Sequence, residues 1–139
     1  MNRMIRRCLA ALLCLACLAL TGCRARQRGE ATAVLVDGQP WQASPAAGED
    51  GLRVIVSLDG APLAQLPFGE AHTVTVTQPD GAQNILRLTG DAVYMAEANC
   101  ENQDCVHMGE VTRENLETRV MGGFIICLPH RVSVEVRGE

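Results

Sequence analysis

The sequence predicts a small all-β domain, an antiparallel sandwich or barrel, preceded by a helical export signal and a flexible tether. Three observations carry this. Apolar residues alternate with polar ones at a period of two in several short runs from Leu52 onward. Turn-forming Asp-Gly and Pro-Asp-Gly sequences separate those runs. Only Thr112 to Arg119 reads as helical, with Thr112 placed to cap a turn or two and Glu114 near its positive end. With Trp41, Phe68, Tyr94 and Phe124 the only aromatics, the core must be built from Val, Ile, Leu and Ala.

The elements follow in order. Val54, Val56 and Leu58 point one way, while Arg53 and Ser57 point the other. Asp59-Gly60 then reverses the chain. His72, Val74 and Val76 alternate with Thr73, Thr75 and Thr77, and Pro79-Asp80-Gly81 supplies a turn in which the glycine takes a positive φ. Ile85 to Leu88 and Val93 to Met95 flank Gly90-Asp91. Val132, Val134 and Val136 alternate with Arg131, Ser133, Glu135 and Arg137 at the end. Short, evenly spaced strands suit a sandwich or small barrel.

The N-terminus carries an address. Arg3, Arg6 and Arg7 precede residues 8–20, an unbroken run of Ala, Leu and Cys. That is a signal-peptide pattern, too short to span a bilayer comfortably. Leu20-Thr21-Gly22-Cys23 follows, and it resembles the lipobox of bacterial lipoproteins. The resemblance implies cleavage before Cys23 and a covalent diacylglycerol on its thiol, with no other cofactor. At least two acyl chains hold a protein stably on a membrane. Residues 1–22 are therefore expected to be a signal peptide, residues 23–51 the lipidated cysteine and tether, and residues 52–138 the β domain. The expected location is the extracytoplasmic face of the cell membrane. Within the tether, Arg24, Arg26 and Arg28 either rest on anionic headgroups or are simply solvated. Val34, Val36 and Trp41 either pack on the domain as an added strand or stay outside it.

Charge excludes one class of partner. The chain carries a net charge of -4, and loss of residues 1–22 leaves -7. The acidic balance disfavours clamping a phosphate backbone, so nucleic acid is not expected as a partner. No Ser-His-Asp signature, phosphate loop or HExxH motif is present, and an enzyme is not expected.

Seven cysteines reduce to three that need explaining. Cys8, Cys14 and Cys17 lie in the signal and Cys23 closes it, leaving Cys100, Cys105 and Cys127. Three readings stay open. Two of these could form a structural disulfide with the third left over. All three could bind a metal, with His107 or His130 completing a Cys3His set suited to zinc. Or they could form a redox-active pair with a third, regulating thiol; His130 and Arg131 would favour a thiolate at Cys127, while Glu101 and Asp104 oppose one at the others. Glu97, Glu101 and Asp104 otherwise read as a solvated acidic loop, His72 as a surface residue on a strand, and Met95 and Met108 as packing.

The segments Asn99-Cys100-Glu101-Asn102-Gln103-Asp104-Cys105-Val106-His107-Met108-Gly109 and Ile125-Ile126-Cys127-Leu128-Pro129 resemble the NusG domain II-like family, small and mostly extracytoplasmic β domains. The resemblance runs from about Leu52 to Gly138. It departs at Glu101, where the family usually has Pro, at His130, where it usually has Asn, and in the charged loop from Glu110 to Gly122. It implies the β fold. The expected role is a non-enzymatic binding or accessory module beside a membrane protein, with Pro129, His130 and Arg131 at the cysteine end as a contact surface; the alternative is a redox-active or metal-binding protein using Cys100, Cys105 and Cys127. The acidic, exported chain lacks the rest of a NusG factor, so transcription is not implied.

Overall fold

The computed structural model describes residues 31–42 and 51–138. The signal, Cys23, the early arginines and much of the tether lie outside these residues. Within them, strands β1 (Ala33–Val36), β2 (Gln39–Pro40), β3 (Leu52–Leu58), β4 (Ala61–Pro67), β5 (His72–Thr77), β6 (Gln83–Leu88), β7 (Ala92–Ala98), β8 (Val111–Thr112), β9 (Phe124–Cys127) and β10 (Val132–Gly138) make two antiparallel sheets. One sheet has the order β2-β1-β5-β6-β7-β8, the other β4-β3-β10-β9. The architecture is a sandwich of open sheets and not a closed barrel.

Period-two alternation sets which side chains face inward. Val74 and Val76 of β5, Leu86 and Leu88 of β6, and Val93 and Met95 of β7 meet Val54, Val56, Ile125, Val132, Val134 and Val136 of the other sheet in one buried cluster. Burying one such side chain is worth about 1.5–3 kcal/mol. Ile55 is also buried, on the opposite face of β3 from Val54 and Val56.

The turns are those that the dipeptides demand. Asp59 (φ 51°) and Gly60 (φ 78°) both occupy the left-handed region, as a type I′ hairpin requires. Asp37 (φ 52°) and Gly38 (φ 79°) repeat it between β1 and β2. Val34, Val36 and Trp41 pack against the core, so the added strand forms. It pairs with β5 in the register Ala33↔Thr77 to Val36↔Val74. The Asp37 carboxylate ties the hairpin down, accepting from the Thr73 amide at 2.8 Å and meeting His72 Nδ1 at 2.7 Å.

One expectation is corrected. The segment after Thr112 is a succession of turns, and the helix α1 (Asp104–His107) forms earlier instead. Thr112 and Asn115 do exchange cap-like hydrogen bonds, the Thr112 amide donating to Asn115 Oδ1 at 2.9 Å and the Asn115 amide to Thr112 Oγ1 at 3.3 Å. But Leu116 is the segment's one apolar residue packed on the core, and Val120 is fully exposed. Without an apolar stripe, helix formation gains little from packing. Strand β4 has no clean alternation in the sequence. Its prolines, Pro62 and Pro67, dilute the strand pattern, and they are tolerated because β4 is an edge. The opposite edge, β9, is blunted by side chains: Arg119 Nη1 donates to the Phe124 carbonyl at 3.0 Å, and the Ile126 amide donates to Met108 Sδ at 3.3 Å.

Candidate functional site

The three cysteines come from three elements that converge at one end of the sandwich. Cys100 lies just past β7, Cys105 on α1 and Cys127 at the last position of β9. All three are buried, with 6, 2 and 1% of their surface exposed. Gln103 holds the first two in place. It adopts a left-handed conformation (φ 54°) immediately before α1, unusual for a residue with a Cβ. Its Nε2 donates to the carbonyls of Ala98 at 2.6 Å and Cys100 at 2.5 Å. These bonds fold the C-x4-C segment back on itself, and α1 turns Cys105 inward.

The sulfur atoms lie within 4.8 Å of one another, and those of Cys100 and Cys105 are 3.7 Å apart. A disulfide needs about 2.05 Å. In this structure no pair of them is joined, and all three cysteines are free. Burial, then hydrogen bonding with Cys127 and Cys100, pushes the Cys105 thiol up to about 12. A thiol held protonated is a poor nucleophile, which weighs against disulfide exchange through Cys105. Three soft donors within 4.8 Å of one another suit a thiophilic metal ion.

Neither histidine completes this set. His107 is exposed at the end of α1. His130 is buried elsewhere in the same end of the domain, against the six-stranded sheet. Its Nδ1–H donates to Asn84 Oδ1 at 2.9 Å, and its carbonyl accepts from Gln78 Nε2 at 2.7 Å. Asn84 Nδ2 reaches Met95 Sδ at 3.6 Å. Gln78, Asn84 and His130 thus form a buried polar chain joining β6 to the β9–β10 turn. Nothing in the sequence marks Asn84 as different from a surface asparagine except its inward place in the alternation beside Leu86 and Leu88.

The turn after Cys127 was expected to present Pro129, His130 and Arg131. Pro129 and Arg131 are exposed, whereas the His130 side chain faces inward. Arg131 takes φ 58° and pairs with Asp59 at 3.1 Å. Leu128, which the sequence did not single out, is 78% exposed. A cleft of about 30 Å³ lies between this turn and α1, lined by Asn102, Asp104, Cys105, Ile126, Cys127, Leu128 and Pro129. It has room for about one water molecule and no organic ligand.

His72 bridges Asp37 and Glu70 at 2.7 and 3.3 Å. Met95 is core, and Met108 packs against it while capping the β9 edge.

Comparisons with known proteins agree with this architecture. No curated protein matches the chain. The chain is similar to the Lin0431 protein from Listeria innocua, with 24% identity and a TM-score of 0.53, covering 63% of this chain and 95% of that one. It is similar to a DUF1312 family protein from Enterococcus faecalis, with 24% identity and a TM-score of 0.54, covering 63% and 98%. A DUF1312 family protein from Ruminococcus gnavus is 31% identical over 63% of this chain and 99% of its own, with a TM-score of 0.49. The first two likenesses show the fold. The family model for NusG domain II matches residues 9–139, and with the shared sandwich this places the chain in the NusG domain II family.

Proposed function

We propose that the protein is a lipid-anchored, extracytoplasmic and non-enzymatic binding module, working beside a membrane protein through the cysteine end of its sandwich. One observation carries the reading. The register pairs Ala33 with Thr77, Thr77 with Gln83 and Asn84 with Ala98. The chain therefore enters the six-stranded sheet at the same end from which β7 leaves for Cys100. Cys23 lies ten residues before Ala33, a reach of at most about 35 Å. Lipid on Cys23 would keep the thiols and the Leu128-Pro129 turn close to the bilayer, where a membrane partner presents its surface. Leu128 is a large apolar side chain exposed there, flanked by Pro129 and by the Arg131–Asp59 pair. An apolar centre with a charged rim is the usual pattern of a contact surface.

The test joins anchoring to contact. Cells grown with labelled palmitate should label the wild-type chain, and Cys23→Ala should lose both label and membrane retention. A photo-crosslinking residue at Leu128 should capture a membrane protein that the same residue at Met121, at the opposite end of β9, does not. Label persisting on Cys23→Ala, or the same capture from both positions, would defeat the reading.

A further inference from the structure

We propose that Cys100, Cys105 and Cys127 are a binding site for one thiophilic divalent d10 cation of the zinc class, with its fourth coordination position turned to the small cleft beside α1. The inference stands on the sulfur geometry and does not depend on the lipid anchor.

Spacing is the first support. A zinc ion about 2.3 Å from each sulfur in tetrahedral geometry sets its sulfurs about 3.8 Å apart. Cys100 and Cys105 are already 3.7 Å apart, and the whole set lies within 4.8 Å. Closing the widest gap needs a shift of no more than about 1 Å. The donor set is the second support. No carboxylate or imidazole belongs to the group. Soft thiolates alone favour zinc-like and copper(I) ions over magnesium or calcium.

Charge decides between a dication and a monocation. Three thiolates around a monocation leave two net negative charges in a buried place, and around a dication they leave one. The nearest charged side chain lining the cleft is Asp104, which is acidic and opposes any surplus negative charge. The lower residual charge favours the dication. The cleft is the third support. Its volume of about 30 Å³ beside Cys105 and Cys127 admits one water-sized ligand, which would complete four-coordination at a site with three protein donors. Occupation is balanced without any redox partner. Each S–H bond gives way to a sulfur–metal bond, and the protons pass to solvent.

The test uses the full-length chain, reduced and in detergent, with cobalt(II) as an optical probe and zinc as competitor. One cobalt per chain should bind with thiolate-to-cobalt charge-transfer absorption and intense tetrahedral d–d bands. Zinc should displace it stoichiometrically. Each of Cys100→Ser, Cys105→Ser and Cys127→Ser should weaken binding by about 100-fold or more, while Cys23→Ser should not. Because a buried serine could unfold the domain, native mass spectrometry gives a second reading. The reduced wild-type chain should carry one zinc in native buffer and none in denaturant. Absent charge-transfer absorption in a chain whose thiols are shown to be reduced, equal binding by the Cys23→Ser and Cys105→Ser variants, or two of the three thiols found joined in protein isolated without air, would each overturn the proposal.

Discussion

Replacing Asn84 with alanine should destabilise the domain by about 2 kcal/mol. Asn84 is fully buried, and its Oδ1 accepts from His130 Nδ1 at 2.9 Å. Alanine leaves that N–H with no acceptor, in a residue only 9% exposed. An unsatisfied buried donor costs about 1–3 kcal/mol. The asparagine's other contact is weak, since Nδ2 reaches only a methionine sulfur at 3.6 Å. Nearly all of the loss should therefore pass through His130. A double-mutant cycle isolates it. Asn84→Leu with His130→Leu removes both polar partners at once, and such a replacement is close to neutral when shapes match. The coupling energy should be about 1–2 kcal/mol. Urea unfolding followed by the fluorescence of Trp41, which packs on the core, measures each variant. At an m-value of about 2 kcal/mol per molar urea, the single alanine variant should lower the midpoint by about 1 M. A shift below about 0.2 M for Asn84→Ala, or a double variant that costs the sum of its singles, would refute the assignment of the buried bond.

Other outcomes follow from neighbouring geometry. Gly123→Ala should cost about 3 kcal/mol or fail to fold, because its Cβ would run into the Val136 carbonyl and reach Leu116 Cδ1 at 3.0 Å; thermal unfolding checks it, and a wild-type melting temperature would contradict it. Gln103→Ala should be less stable than Gln103→Gly by about 1 kcal/mol, since both lose the bonds to Ala98 and Cys100 but only glycine is relieved at φ 54°; equal midpoints in urea would deny strain there. Burial pulls the His72 imidazole down, but the hydrogen bonds it donates to Asp37 and Glu70 raise it above its ordinary 6.5 on balance. Its contribution is thus complete below 6.5 and lost as pH rises through the folded value, while Asp37, held below its ordinary 3.8 by His72 and the Thr73 amide, loses its own as pH falls. Stability should accordingly be greater near pH 5.5 than near pH 8, and His72→Gln should shrink that difference; an unchanged difference in the variant would place the titration elsewhere.

The strands with strong alternation were legible. His72–Thr77 and Val132–Gly138 read correctly because each puts valine on one face and polar residues on the other. Asp59-Gly60 read correctly because few dipeptides accept two positive φ angles in succession. Asp37-Gly38 carries the same signal between β1 and β2. β4 was hidden because alanine and proline blur its pattern, and the turns after Thr112 because capping residues resemble those of a true helix start.

By itself, the sequence determined the all-β class, most of the strands and the family pattern, since each is written in local periodicity, turn chemistry or motif spacing. Tertiary structure alone decided the cysteine end. Cys127 lies twenty-two residues after Cys105, and no local rule says that a strand end and a one-turn helix will bring their sulfurs within 4.8 Å. The same holds for His130, whose inward turn depends on Asn84, forty-six residues away on the other sheet. Spacing along a chain limits what can meet; the packing of two sheets chooses which side chains do.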